Sequence, residues 1–459
     1  MAIHNRYFWV CVILALALCV TQILGSTILI LGCLAGFLAL VCWFCVQDMT
    51  LPIMLFFLPW SQILKTGPGA YSFFTFAQVL VCVVSLVKRR LWFKRYHLAA
   101  GVLLLALTLF SKLLDGSFLA MDYIAFMMLI FLFPIVKEEW TAGKYDFFEV
   151  VFFLSGGAIM AALCAKQFAV FPNIARYINI HSYLNIVRLS GFYGDPNFYT
   201  AQILAALSGC LIAILKETNR RRVTAASILA IVLIYCGFLS GSKSFALIAV
   251  VIVLAWFAEL IRMRGKGGRK ILIITCSVLV LVFIATSALF SGLIDVMLTR
   301  FAYSKDFSSF TTGRVELWLR YYKEIFSSAK ILLLGKGFTN VKVDERAPHN
   351  TIIQAVFQFG IIGVIVLIGW CAGFYERVRK GSIPFKKRFL STFLLIAGVY
   401  IPWLALDILF FDEFFLLQWY AFMGFLQLSN GYVTHDRQLT DKSAVPVRSG
   451  RRKLRIVWR

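Results

Sequence analysis

Two arginines and a histidine stand out among the polar residues of this apolar chain: Arg188 in "RLSGFYGDPNFYTAQ", Arg314 in "TTGRVELWLRYYKEIF" and His349 in "APHNTIIQAVFQFGIIG". A guanidinium offers a planar fork of donors that matches phosphate oxygens two at a time, and it stays charged at any working pH. A neutral imidazole is suited to taking a proton from a hydroxyl near neutral pH. Held together, the three side chains suit glycosyl transfer from a lipid diphosphate sugar. The departing diphosphate needs cations as its bond to the anomeric carbon breaks, and the incoming sugar hydroxyl must lose its proton. No acidic pair of the DxD kind lies beside them, so this chemistry requires no metal and no other cofactor.

Each residue also has an ordinary reading. A histidine ahead of a helix is by itself most often a hydrogen-bonded surface residue. Arg188 stands before helix-start chemistry: Asp195 is a candidate N-cap, Pro196 fits the first helical position with Asn197 after it, and Gly191 and Gly194 permit close approach of backbone to a ligand. Arg314 falls in the first turn of an amphipathic helix over 311–326, capped by Thr311 or Thr312, with Trp318, Tyr321, Tyr322, Ile325 and Phe326 on the face toward the lipid headgroups. A cation there opposes the helix dipole, a conflict that a bound anion would remove. Lys336, between two glycines in "LLGKGFTN", reads as a turn, and Asn350 follows His349 at the start of the next helix.

What must position these residues is a membrane-spanning bundle. The chain has 459 residues, 61% of them hydrophobic and 15% charged, with a mean hydropathy of +0.83. That is more apolar surface than a soluble core of ordinary proportions buries. The formal net charge of +24 would point to nucleic acid in a soluble protein, but here the cations sit in short blocks between apolar runs, and lipid topology accounts for them better. No nucleic acid partner is expected. All eleven cysteines fall in apolar runs without a CxxC, so neither disulfides nor a thiolate metal site is expected.

Apolar stretches near 7–25, 27–46, 51–64, 70–87, 97–113, 118–136, 146–168, 197–215, 223–240, 244–261, 270–290, 351–372, 389–406 and 411–428 predict an all-α polytopic membrane protein with about 14 spans (12–14). The stretch at 51–64 is short and contains proline. The first run resembles a signal peptide only weakly and reads as a retained helix. With the N-terminus inside, most cations fall on inner segments, including "KRRLWFKR", "KETNRRR", "RMRGKGGRK" and the basic tail, as the positive-inside rule requires. Both termini are then cytoplasmic, and 169–196 and 291–350 are extracytoplasmic, as is His349. The turn carrying Asp407, Asp412 and Glu413 lies on that side too and reads as solvated. By this reading the chain divides into N-terminal helices 1–168, a catalytic region 169–372 with a helical outer loop at 291–350, C-terminal helices 373–428 and a basic cytoplasmic tail 429–459.

From Arg188 to Trp370 the chain resembles the O-antigen ligase and O-antigen polymerase superfamily, bacterial membrane glycosyltransferases of the GT-C class. The marks are "RLSGFYGDPN", "LSGSKSFAL" at 239–247, "GRVELW", "LLGKGFTN", and "HNTIIQ" followed by "FGIIG", in that order around a long outer loop. The resemblance implies that Arg188 and Arg314, with Lys243 and Lys336, hold the diphosphate of an undecaprenyl-linked glycan donor. It also implies that His349 acts as base on a glycan or lipid-linked acceptor, giving inversion in the bacterial inner membrane. The serine-rich turn carries Lys243 where the family usually has arginine. A polymerase of surface polysaccharide repeat units is the leading expectation. A ligase moving the finished glycan to lipid A core, protein or wall is the second, and it would use the same donor site. A flippase would place charges along a central cavity, and no acidic or basic residue is read as sitting mid-span here.

Overall fold

The computed structural model describes residues 2–88, 95–115, 121–136 and 145–262 (apart from 179, 184, 185, 190 and 194), then 275, 292–303 (apart from 294), 311–337 (apart from 312) and 342–431. The span expected near 270–290 apart from residue 275, the outer-loop residues 304–310 and 338–341, the block "RMRGKGGRK" after its first residue, and the basic tail after Gly431 lie outside the described residues.

The described chain is almost entirely helical. In order it forms α1 (Ala2–Leu24), α2 (Thr27–Val46), α3 (Thr50–Phe57), α4 (Phe73–Lys88), α5 (Arg95–Asp115), α6 (Met121–Val136), α7 (Phe147–Phe168) and the single turn α8 (Pro172–Ala175). A two-stranded hairpin follows, β1 (Ile180–Tyr183) and β2 (Ile186–Leu189). Then come α9 (Pro196–Lys216), α10 (Arg220–Leu239), α11 (Lys243–Arg262), α12 (Arg314–Ile325), α13 (Ala329–Leu334), α14 (Thr351–Arg379), α15 (Phe385–Val399) and α16 (Asp412–Asn430). Residues 295–302 are helical as well.

Among the described residues, eight helices are long and apolar enough to cross a membrane: α1, α2, α7, α9, α10, α11, α14 and α15 with the turn that follows it. The chain is therefore a multi-pass, all-α membrane protein. In α9 94% of the most apolar window is buried, against 33% in α1 and 28% in α11. Thus α9 lies at the centre, and the peripheral helices turn side chains such as Ile28 and Leu254 outward. Contiguous outward apolar surface of this kind is costly in water and favourable in lipid. The stretch expected as a short span at 51–64 is α3 plus a tight turn at Leu58–Trp60, buried throughout.

Helix ends meet in two groups. At one end the Arg222 guanidinium bonds Asp146, the N-cap of α7, and lies 3.2 Å from Glu217. Lys216 lies 3.1 Å from Glu259, which also accepts from Ser391. The opposite end gathers the hairpin, the α10–α11 turn, the start of α9, α12, the start of α14 and residues 401–413.

α14 is broken at Gly360, whose φ of 63° and ψ of 179° leave the helical region. The N–H groups of Lys336 and Gly337 donate to the carbonyls of Phe357 and Gln358 at 2.8 and 2.9 Å, serving acceptors next to the break. Only glycine fits there, since a Cβ on Gly360 would sit 2.3 Å from the Leu333 carbonyl carbon.

Candidate functional site

The hairpin pairs His181 with Arg188 across its strands. Arg188 Nε donates to the Ser240 carbonyl in the α10–α11 turn at 3.1 Å. That turn is stitched to the start of α9: Ser242 Oγ and Ser244 Oγ donate to Asn197 Oδ1 at 3.1 and 3.3 Å. Asp195 caps α9, accepting the Asn197 N–H at 2.6 Å. Gly191 uses its positive φ of 59° to let the chain pass the Tyr199 ring, 2.9 Å from where a Cβ would be. Gly194 lies outside the described residues.

Two further cations join this turn. Lys243 opens α11, and Arg300, only 6% exposed, donates to the Gly241 carbonyl. Lys243 and Arg300 are within electrostatic reach of each other. Burial pushes the Arg188 guanidinium down to about 10, with Arg300 and Arg314 acting in the same direction and Asp195 against them. Arg314 is lowered by burial and supported by Asp195 and Asp407. Lowered cations show that this end of the protein gathers positive charge out of bulk water, a condition that a bound anion relieves.

Arg314 begins α12 directly after Gly313, which has a φ of 73° and makes no side-chain cap. The cap expected from Thr311 is replaced by a backbone bond from the Arg314 N–H to the Thr311 carbonyl at 3.3 Å, and Thr312 is outside the described residues. The face expected to lie in the headgroups is divided. Leu317, Tyr321 and Ile325 pack on Ile353 and Phe357 of α14, while Tyr322 and Phe326 remain exposed. The i, i+4, i+8 stripe is the one that a docked helix buries. α12 also grips the chain ahead of α14, since Trp318 Nε1 donates to the Pro348 carbonyl and Tyr321 to that of Arg346, both at 2.8 Å.

This grip holds His349 with a φ of 48°, a left-handed conformation uncommon outside glycine. Its Nδ1 lies 3.2 Å from Asp407 Oδ2. The other Asp407 oxygen accepts the Asn350 N–H at 3.2 Å, and Asn350 caps α14 through Ile352 and Ile353. Thr351 Oγ1 donates to the Leu406 carbonyl at 2.7 Å, and Arg314 Nη1 reaches the Ala405 carbonyl at 3.3 Å. Segment 405–409 thus ties the first turn of α14 to Arg314. A carboxylate accepts only, so it places the imidazole hydrogen on Nδ1 and leaves Nε2 as the basic nitrogen.

The acidic turn differs from its expected solvated state. Asp407 is 7% and Glu413 3% exposed, Glu413 lying 3.4 Å from Gln202 Nε2. Lys336 is drawn elsewhere, into an ion pair with Glu324 at 2.7 Å. Among the described residues no three His, Cys, Asp or Glu side chains come together as a metal site.

The chain matches no protein-family model and no curated protein.

Geometry therefore brings Arg188, Arg314, Lys243, Asp195, Asn197, Asn350 and His349 to one end of the bundle, and leaves Lys336 in a separate ion pair. Arg300 and Asp407 complete the group and were not singled out from sequence. Arg300 stands alone in "LTRFAY", and Asp407 passes for one acid among three in a turn, so neither carries a local signal.

Proposed function

We propose that the protein is a glycosyltransferase of the bacterial inner membrane that polymerises undecaprenyl-diphosphate-linked repeat units of a surface polysaccharide. The reaction runs on the outer face of the membrane, between about fourteen spans with both termini cytoplasmic. The observation that carries this reading is the gathering of Arg188, Arg300 and Arg314 with the His349–Asp407 pair at one end of the helical bundle. The order of the quoted motifs supports the same family.

In this reading the arginines hold the donor diphosphate with Lys243 beside them. His349 Nε2 takes the proton of an acceptor hydroxyl while its oxygen forms the new bond to the anomeric carbon. The bond from that carbon to the diphosphate oxygen breaks, and its electron pair leaves on the carrier lipid diphosphate. Attack from the face opposite the leaving group inverts the anomeric configuration. Asp407 stabilises the imidazolium as it forms. The positive-inside rule puts this end outside, because the cation-rich "KETNRRR" block belongs to the end of Arg222.

The test is the glycan made by a deletion strain carrying His349→Ala or Arg314→Lys. Loss of polymer, with the protein still in the membrane, is expected, and full-length polymer from either variant removes that residue from the mechanism.

A further inference from the structure

We infer that the cavity bordering His349, distinct from the arginine group, receives the acceptor saccharide. The inference rests on the transferase reading above and adds where its second substrate sits. The cavity has a volume of about 490 Å3 and lies among the 61–75 segment, α6, α14 and residues 407–415. His349 and Asp407 are in its wall, whereas Arg188, Arg300 and Arg314 are not. A molecule inside it meets the imidazole from one side while the arginines remain available to another. That is the geometry a two-substrate transfer needs, with the base beside the nucleophile and the leaving group held on the other side of the anomeric carbon.

The lining has the chemistry of a sugar site. A pyranose shows C–H faces that pack on rings and an edge of hydroxyls that bond to amide, ammonium and carboxylate groups. Here Tyr71 and Phe411, 57% and 44% exposed, supply rings, and Gln62, Lys65 and Asp412 supply polar groups. These polar groups are held in advance. Lys65 Nζ donates to Gln62 Oε1 at 2.6 Å, and Thr75 Oγ1 to Asp412 Oδ2 at 2.9 Å. The backbone beneath them is pinned to α1, because Gln22 Nε2 donates to the carbonyls of Ile63 and Lys65 at 3.0 and 2.9 Å. The volume falls in the range of pockets that take a small ligand, roughly 300–1,000 Å3. A cavity of that size holds a terminal sugar or two rather than a long chain.

The experiment uses purified full-length protein, the host's own prenyl-diphosphate glycan as donor, and the oligosaccharide freed from that glycan by mild acid as acceptor. Gln62→Ala, Lys65→Met and the exposed Tyr71→Ala are compared with the parent. Each is expected to raise the acceptor KM about tenfold or more while the donor KM stays within twofold. A cysteine placed at Tyr71 gives a readout independent of turnover, and the free oligosaccharide should slow its alkylation. Acceptor KM values unchanged in all three variants, or no protection at position 71, overturn the assignment of this cavity. That failure is distinguishable from failure of the transferase reading, which would show as no transfer by the parent protein itself.

Discussion

His349 and Asp407 meet from two separate helix ends, with Nδ1 3.2 Å from Oδ2 and the second carboxylate oxygen on the Asn350 N–H at 3.2 Å. One carboxylate thus fixes both the imidazole and the first turn of the helix that carries it. The left-handed φ of 48° at His349 costs on the order of 1–2 kcal/mol and is sustained by bonds from α12 to the carbonyls of Arg346 and Pro348.

Replacing Asp407 by Asn keeps the shape but removes the charge that favours the imidazolium. The expected result is a fall in kcat of about 10- to 100-fold. His349→Ala should cost more, about 100- to 10,000-fold. Initial rates for parent and Asp407→Asn check this, and an unchanged kcat would separate the carboxylate from the base.

Arg188→Gln should stabilise the ligand-free protein while disabling it. The folded value of about 10 lies below the ordinary value of a guanidinium, so the unfolded chain holds that proton more tightly. The resulting penalty is present in full below about pH 10 and fades only as pH rises through and above that value. At neutral pH the variant escapes it. Thermal unfolding in detergent should show a Tm at or above that of the parent, and added pyrophosphate should raise the parent Tm more than that of the variant.

Arg314→Lys keeps the charge but loses the fork and its reach to the Ala405 carbonyl. Its donor KM should rise about tenfold or more, with the acceptor KM little changed. Initial rates at varied donor concentration measure the difference.

Gly360→Ala tests the break in α14. A Cβ there would lie 2.3 Å from the carbonyl carbon of Leu333, on a backbone with a φ of 63°. Destabilisation of about 1–3 kcal/mol is expected, read as a lower Tm in detergent.

Topology is open to labelling. A cysteine replacing the exposed Asp344 should react with an impermeant maleimide on intact cells, and one replacing Lys380 only after permeabilisation. The reverse pattern would invert the assignment of sides.

Much of this was legible in the sequence where the signal is local. Long apolar runs located the eight helices that are long and apolar enough to cross a membrane, out of about fourteen expected, and Asp195 and Asn350 announced helix starts through short side chains that cap their own backbone. Where the outcome depends on tertiary partners, local pattern fell short. α12 has aromatic residues around much of its circumference, and only contact with Ile353 and Phe357 selects Leu317, Tyr321 and Ile325 as the buried stripe. The acids at 407, 412 and 413 look alike in sequence, yet Asp407 meets His349, Asp412 accepts from Thr75 and Glu413 is buried near Gln202. Lys336 reads as a turn between glycines and is a diphosphate ligand only by the family resemblance; its ammonium pairs with Glu324.

The central claim is that guanidinium groups and one imidazole act together on a carrier-lipid diphosphate. Purified protein incubated with a radiolabelled prenyl-diphosphate glycan and its oligosaccharide acceptor measures this directly. Elongated glycan and free prenyl diphosphate should appear in equal amounts with the parent, and neither with His349→Ala. Equal product from His349→Ala, or no product from a parent that binds both substrates, would contradict the account.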